Sequence, residues 1–210
     1  WVVYKQRLLS LVPPMPIADP AVLSLRPIQK DNIIEVVAQA GIDVSDWSTS
    51  TKGNPNTNPK YCYEWAFGDG SSTLLCLWFA HMRSDEQGIY QSNTLWPDIK
   101  RYEAIRNTSS ANRAARLDRE IQRAYFEGKS VRVAVVDGRM RADELDKPSS
   151  VEYRQLDSEP WFVTSFDGRT HRAQPARLDN RPGRRVSLRS EFRRRDTVRE
   201  RAPDARDARE

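Results

Sequence analysis

The chain has 210 residues, of which 30% are charged and 38% are hydrophobic, and it contains two cysteines and two histidines. This length suits one domain of ordinary size with an appendage, and it is long enough to bury a substantial core. No window approaches the roughly 20 apolar residues of a membrane-spanning helix. Both cysteines lie among apolar neighbours, as reduced thiols do. We therefore expect a cytoplasmic protein without membrane contact, disulfide scaffold or structural zinc site.

The excess positive charge lies in the last part of the chain. Residues 177–210 hold twelve arginines against seven acidic residues, whereas the preceding residues carry 22 basic and 22 acidic side chains. Because few apolar residues accompany these arginines, residues 173–210 are predicted to be a disordered, arginine-rich tail or linker. The tail either neutralises DNA phosphates or is solvated without contacts, and we favour DNA. Its candidate DNA-binding residues are Arg184, Arg185, Arg193, Arg194 and Arg195.

The N-terminal part of the chain begins with a leader and a short helix. Four prolines in residues 1–26 disfavour both helix and sheet, and they predict an extended leader. Apolar residues then recur at helical spacing from Ile33 to Ala40, with Asp31 as the candidate N-cap and Gly41 ending the helix. A polar loop rich in turn-forming residues follows.

Strands predominate in the middle and late parts of the sequence. The aromatic residues 61–67 and the apolar run 72–79 flank a Gly-Asp-Gly turn, which predicts a β-hairpin. Further strands are predicted at residues 131–136 and 161–166, and residues 81–97 are expected to form a loop.

A long helical pattern runs from Ile99 to Glu127, with a break expected near residues 107–110. Combined with the strands, it predicts an α+β domain over residues 27–172. We expect a small mixed sheet with two or three packed helices, followed by the disordered basic C-terminal tail.

One face of this long helix carries four arginines. At about 100° per residue they lie opposite an apolar stripe that contains Leu117, Ile121 and Ala124. Arginine suits phosphate because its planar guanidinium donates paired hydrogen bonds and stays charged. The same pattern is also typical of a solvated surface, since acidic residues occur in the same helix. The four candidate DNA-binding residues are Arg113, Arg116, Arg119 and Arg123.

Aromatic residues around the first strand form the best candidate for a base-reading pocket. Flipped or modified bases are held between aromatic faces while polar groups read the base edge. Alternation along a strand would place the aromatic side chains on one face, and Glu64 could accept a hydrogen bond from an exocyclic amine. The alternative is that these aromatic residues belong to the core. The predicted pocket consists of Trp47, Tyr61, Tyr63, Glu64 and Trp65.

No residue is assigned a catalytic role, and no metal ligands are predicted. His81 follows an apolar strand and is interpreted as structural, and Asp137 beside Gly138 fits an Asp-Gly turn as well as a catalytic carboxylate. The sequence has neither a glycine-rich phosphate loop nor a Gly-x-Ser-x-Gly elbow. Two alternatives stay open: a metal-dependent nucleotide-processing enzyme that uses Asp137, Glu64 and His81, and a protein-interaction module for a separate nuclease.

Several segments together resemble a known domain. In combination they resemble the N-terminal domain ahead of an HNH nuclease module in a group of bacterial restriction-like endonucleases, over about residues 30–170. The basic segment LRSEFRRRDTVRERA (188–202) is similar to the connector that leads into that module. The segments of the domain are GIDVSDW (41–47), NPKYCYEWAF (58–67), LWFAHM (77–82), AARLDREIQRAYFEGKSVRVAVVDG (114–138) and PWFVTSFD (160–167).

The resemblance implies the targeting half of a nuclease without the cutting half, and the candidate base pocket adds modified bases as one class of target. His81 and His171 are 90 positions apart, and no third histidine completes an HNH set. A metal-dependent nuclease needs a base and metal ligands on one small element. The divalent metal would therefore belong to the absent HNH module, and no cofactor is expected in this chain. The expected partners are DNA and a nuclease module or protein.

Overall fold

The structure is a computed structural model that describes residues 19–49, 54–55, 58, 61–140 and 149–178. Most of the predicted leader lies outside the described residues. So does the arginine-rich tail beyond residue 178, with its five candidate DNA-binding arginines. Within the described part, helices and two β-sheets form an α+β fold, which confirms the predicted fold class.

Along the described chain, two short α-helices are followed by five strands, two further α-helices and four strands. The helices are α1 (Pro20–Leu23), α2 (Ile33–Gln39), α3 (Trp96–Ala104) and α4 (Thr108–Glu127). The strands are β1 (Ala66–Gly68), β2 (Thr73–Trp78), β3 (Arg83–Asp85), β4 (Gly88–Tyr90), β5 (Asn93–Thr94), β6 (Arg132–Arg139), β7 (Ser150–Leu156), β8 (Phe162–Asp167) and β9 (Arg172–Leu178).

The first sheet has the strand order β1-β2-β6-β7. β1 and β2 form the predicted antiparallel hairpin, β2 and β6 are parallel, and β6 and β7 are antiparallel. Successive side chains of a strand point to opposite faces, so Leu74 and Cys76 belong to the core beside α2, and Leu75 and Leu77 to the core beside α4. The sheet thus separates two hydrophobic cores.

The second sheet is built around β9. This strand pairs with β8 on one side and with β4 and β5 on the other, and β3 pairs with β4. A backbone bridge between Val131 and Trp161 connects the starts of β6 and β8, with N···O distances of 2.8 and 3.0 Å. The two sheets are therefore hydrogen-bonded to each other at one point.

Helix α4 has well-defined ends and one buried side. The Asn107 side chain accepts a hydrogen bond from the Ser110 amide at 3.1 Å and caps the first turn, and Gly128 ends the helix in the left-handed conformation. Leu117 and Ile121 are buried in the core facing the first sheet. The helix thereby presents its other side to solvent.

Several predicted element boundaries are wrong. The strand predicted over residues 61–67 is confined to β1, because the carbonyl of Asn58 accepts from the Tyr61 and Cys62 amides and closes a turn. The region 81–97, predicted as a loop, contains three short strands and the start of α3. Asn32 takes the N-cap position predicted for Asp31.

The hydrophobic core also extends past the predicted domain limits of 27 and 172. At the N-terminal side, Val22 of α1 is a core residue. At the C-terminal side, Ala173 and Ala176 of β9 are buried. Residues assigned to the leader and the tail are therefore parts of the folded domain, because they complete the second sheet and the core beneath it.

Candidate nucleic-acid interface

The four arginines predicted on one helix face do lie together on the solvent side of α4. We call Arg113, Arg116, Arg119 and Arg123 the arginine stripe. Arg116 and Arg119 are exposed, and Arg113 and Arg123 are half-buried. At 1.5 Å of rise per residue, the stripe extends over about 15 Å of the helix axis.

Three members of the stripe contact neighbouring side chains. The Arg113 guanidinium lies 5.0 Å from the centre of the Tyr63 ring, and Arg116 Nε lies 3.7 Å from Glu64 Oε2. Arg123 forms an ion pair with Glu120 and donates to Thr73 Oγ1 at 3.0 Å. These contacts place three members of the stripe beside Tyr63, Glu64 and the start of β2.

Arg119 differs from the other three arginines. It is exposed, and among the described residues no acidic group pairs with it. Arg116 is exposed as well, and its distance of 3.7 Å to Glu64 makes the ion pair a loose one. These two side chains are therefore the members of the stripe best placed to meet an external anion.

Glu64 brings a partly buried carboxyl group to the edge of the stripe. Its side chain is 12% exposed, and its Oε2 atom is buried without a hydrogen-bond donor in the described structure. Burial raises the pKa of Glu64, and the nearby Arg116 and Arg113 oppose this shift. When it is ionised, this carboxyl group therefore reduces the positive potential that Arg116 presents to solvent.

Two residues of the predicted base pocket lie in the core. The rings of Trp47 and Tyr61 are buried and stack on each other, with centroids 4.3 Å apart and planes at 5°. Tyr61 also donates its hydroxyl hydrogen bond to Asp46. The stack leaves no space for a base between these two rings.

The other three predicted pocket residues lie nearer the surface. Tyr63 is exposed beneath Arg113, Glu64 lies beside Arg116, and Trp65 packs against Trp78 with ring centroids 5.4 Å apart. The structure thus places Tyr63 and Glu64 next to the arginine stripe rather than around a shared cavity with Trp47. Base recognition by these residues stays a prediction.

A second cluster, which was not predicted from the sequence, lies beside α4. His171, in the turn between β8 and β9, places its Nδ1 atom 2.7 Å from Oδ2 of the buried Asp118. The Trp96 ring stacks on the imidazole at 4.8 Å. These residues are up to 75 positions apart in the chain, so no local sequence pattern indicates their contact. The turn residues Asp167 and Gly168 predict only the β8–β9 hairpin that carries His171.

Asp137, one of the candidate catalytic residues, has structural partners. Asp137 Oδ2 accepts from Arg26 Nε at 3.1 Å, and Asp137 Oδ1 accepts from the Gly138 amide at 2.8 Å. His81 ends a short 3-10 turn, and burial, reinforced by Arg83, lowers its pKa. In the described ranges, no group of three or more His, Cys, Asp or Glu side chains is arranged to hold a metal ion.

A cleft of about 270 Å³ opens at another place in the fold, between α1 and the end of β7. Its polar lining includes Ser24, Gln155, Asp157 and Arg177. The carboxylate of Asp157 already accepts from Trp161 Nε1 at 2.8 Å and lies 3.5 Å from the Arg177 guanidinium. The two charged groups that line the cleft, Asp157 and Arg177, are therefore paired with each other.

No family model matches this chain, and neither the curated proteins nor the solved structures contain a match. In the part of the chain that the structure describes, no helix is both long and apolar enough to cross a bilayer.

Proposed function

We propose that this domain binds duplex DNA through the arginine stripe of α4. The observation that carries the proposal is the exposed pair Arg116 and Arg119, flanked on the same helix face by two further arginines. Guanidinium groups stay charged and donate paired hydrogen bonds to phosphate oxygens. Contacts of this kind position a protein on DNA without reading its sequence.

The dimensions of the stripe support this proposal. One DNA strand carries a phosphate about every 3.4 Å of helix axis, so the roughly 15 Å of the stripe matches about four phosphates. Glu64 and Glu120 lie beside the stripe and reduce its positive charge. The net attraction therefore depends most on Arg116 and Arg119.

In a wider form of this proposal, the domain has the role that the sequence resemblance implies. It would direct a restriction-like HNH nuclease to DNA in the bacterial cytoplasm, and another module would perform the cleavage. The arginine-rich tail would add sequence-independent affinity, because each phosphate contact releases counterions from DNA. Tyr63, Glu64 and Trp65 would contact bases, including modified ones.

Fluorescence anisotropy with a labelled duplex at low salt tests the proposal. In the full chain, Arg116→Ala together with Arg119→Ala is expected to weaken binding about tenfold or more. The control is Lys30→Ala together with Arg139→Ala, which removes the same charge from two exposed residues outside α4. Equal losses in both double variants would show that only overall charge matters, and would contradict an interface on α4.

A matched set of duplexes with and without modified cytosine tests the wider form. Tyr63→Ala is expected to remove any preference for the modified duplex, because the exposed ring is the group beside the stripe that can stack on a base. Identical affinity of the unaltered chain for both duplexes would limit the function to backbone binding.

A further inference from the structure

Four aromatic rings form a continuous row along the side of α4 next to the arginine stripe. We call Trp96, His171, Phe166 and Phe126 the aromatic row. The centroid distances along it are 4.8 Å from Trp96 to His171, 6.0 Å from His171 to Phe166, and 6.0 Å from Phe166 to Phe126. The rings come from α3, the turn after β8, β8 itself and α4, so the fold assembles them from separate segments.

Both ends of the row are open to solvent. Trp96 is 40% exposed and Phe126 is 70% exposed, which makes Phe126 one of the most exposed large apolar residues among those described. Exposing large aromatic side chains to water is unfavourable in free energy. A group of exposed aromatic side chains is therefore typical of a binding surface. The two inner rings, His171 and Phe166, are half-buried and connect the ends.

The imidazole in the middle of the row is held in one orientation. His171 has a backbone φ of 50°, in the left-handed region that residues other than glycine rarely adopt. Its Nδ1 atom contacts Asp118 Oδ2, which also accepts from Gln122 Nε2 at 2.6 Å. The carboxylate therefore fixes the ring and leaves Nε2 as the polar atom without a hydrogen bond to any described residue.

Positive charge lies at both ends of the row. The Lys100 ammonium group is 4.5 Å from the centre of the Trp96 ring and is also paired with Glu103 Oε2 at 2.9 Å. Arg119 is seven residues before Phe126, so the two lie on the same side of α4, about 10 Å apart along the axis. Aromatic faces bordered by cations fit a nucleic-acid strand, because its bases are flat rings and its backbone carries phosphates.

We propose that the aromatic row binds single-stranded DNA, with one unpaired base stacking on Phe126 and another taking the place of the Lys100 ammonium group over the Trp96 ring, which stays stacked on His171. Nε2 of His171 would hydrogen-bond a base edge, while Arg119 and Lys100 contact the phosphates. Base stacking on aromatic side chains, combined with a cationic surface for the backbone, is a general mode of single-strand binding. This inference rests on the proposed function, because the arginine stripe supplies part of the attraction.

Binding of a short labelled oligo(dT) and of a duplex to the full chain tests the inference. Trp96→Leu together with Phe126→Leu is expected to weaken oligo(dT) binding about tenfold or more and to leave duplex binding unchanged. Trp96→Phe together with Phe126→Tyr keeps the aromatic faces and should retain oligo(dT) affinity. Both residues are exposed, so neither pair of substitutions should prevent folding, which far-UV circular dichroism would verify.

Tryptophan fluorescence gives a second readout. Oligo(dT) is expected to quench the emission of the unaltered chain, and Trp96→Phe should remove most of that quenching, because a stacked base contacts the indole directly. Quenching that persists in Trp96→Phe would place the bound bases elsewhere and contradict the inference.

The outcomes separate this inference from the proposed function. Suppose that duplex binding depends on Arg116 and Arg119, but that oligo(dT) affinity is the same for the unaltered chain and for Trp96→Leu together with Phe126→Leu. This result would overturn the inference about the aromatic row alone. Loss of oligo(dT) binding in the leucine variant, without measurable duplex binding by the unaltered chain, would overturn the duplex interface alone. A chain that binds neither nucleic acid would contradict both.

Discussion

At the scale of single residues, Glu64 connects the acid–base chemistry of the domain with its proposed ligand. Its carboxyl group is mostly buried, carries no hydrogen bond at Oε2 and lies 3.7 Å from Arg116. Burial raises its pKa, so the protonated form becomes populated at a higher pH than for an exposed glutamate. In the ionised form it attracts Arg116 and competes with phosphate.

We predict that Glu64→Gln strengthens duplex binding about two- to fivefold at neutral pH, because Arg116 then loses its acidic neighbour. The unaltered chain should approach the affinity of the variant as the pH falls through the raised pKa of Glu64, whereas the variant itself should show no such gain. Anisotropy titrations across acidic to neutral pH would measure both effects. Glu152→Gln, at an exposed position on β7, is the control, and an equal gain there would contradict the prediction.

Asp69 stabilises the turn of the β1–β2 hairpin. Its Oδ1 atom accepts from the amides of Ser71 and Ser72, both at 2.8 Å, and from the Ser71 hydroxyl at 2.7 Å. Led by the backbone bond from Ser72, these hydrogen bonds lower the pKa of Asp69 from 3.8 to about 2. The turn contains Gly70 in the left-handed region, which a side chain would strain.

We predict that Asp69→Ala lowers the melting temperature at neutral pH. Because the folded-state pKa lies below the unfolded value, the contribution of Asp69 is present above pH 3.8 and disappears as the pH falls through about 2. The difference in melting temperature between the two proteins should therefore shrink in strong acid. A difference that stays constant down to that pH would mean that Asp69 does not act through its charge.

At the scale of elements, periodicity and turn residues allowed part of the fold to be predicted. The apolar spacing of α4 and the Gly-Asp-Gly turn between β1 and β2 are local signals, and both elements are present. β3 and β9 gave no such signal: β3 is three residues of polar sequence, and β9 contains Pro175 in its middle. These strands exist because they pair with distant segments.

Part of the candidate site could likewise be predicted from the sequence, and part could not. The stripe on α4 follows from the 3.6-residue period of one helix. The contacts of Arg113 with Tyr63 and of His171 with Asp118 join residues at least 50 positions apart. Only the packing of the turn before β1 and of the β8–β9 hairpin against α4 brings them together.

We predict losses of stability of different size for two tryptophan substitutions. Trp47→Ala should lower the free energy of unfolding by about 3–5 kcal/mol, because it removes a buried ring stacked on Tyr61 and leaves a cavity. Trp96→Ala should cost much less, because this ring is 40% exposed. Urea denaturation followed by circular dichroism measures both, and similar losses would contradict the assignment of Trp47 to the core.

At the scale of the whole molecule, α4 packs on both sheets, since its buried side contacts β1 and β2 as well as β8. The two sheets are joined where Val131 and Trp161 exchange backbone hydrogen bonds. Trp161 is fully buried, and its indole donates to the carboxylate of Asp157. This junction thus connects the two sheets on which α4 packs.

We predict that Trp161→Phe destabilises the domain by at least about 1–3 kcal/mol, because Asp157 loses a buried hydrogen-bond donor. DNA binding at a temperature where the variant is still folded should be unchanged, since the substitution touches no residue of the stripe. Chemical denaturation and anisotropy on the same preparation test both parts. Weaker DNA binding by the fully folded variant would show that the junction between the sheets affects the DNA interface, and it would contradict the prediction.

DNA binding by α4 is best tested through the dependence of duplex affinity on salt concentration. Each phosphate neutralised contributes about 0.9 to the slope of log affinity against log salt concentration. For the full chain, Arg116→Ala together with Arg119→Ala is expected to reduce that slope by about two, while Lys30→Ala together with Arg139→Ala leaves it unchanged. Equal slopes for the unaltered chain and the Arg116/Arg119 variant would contradict DNA binding by α4.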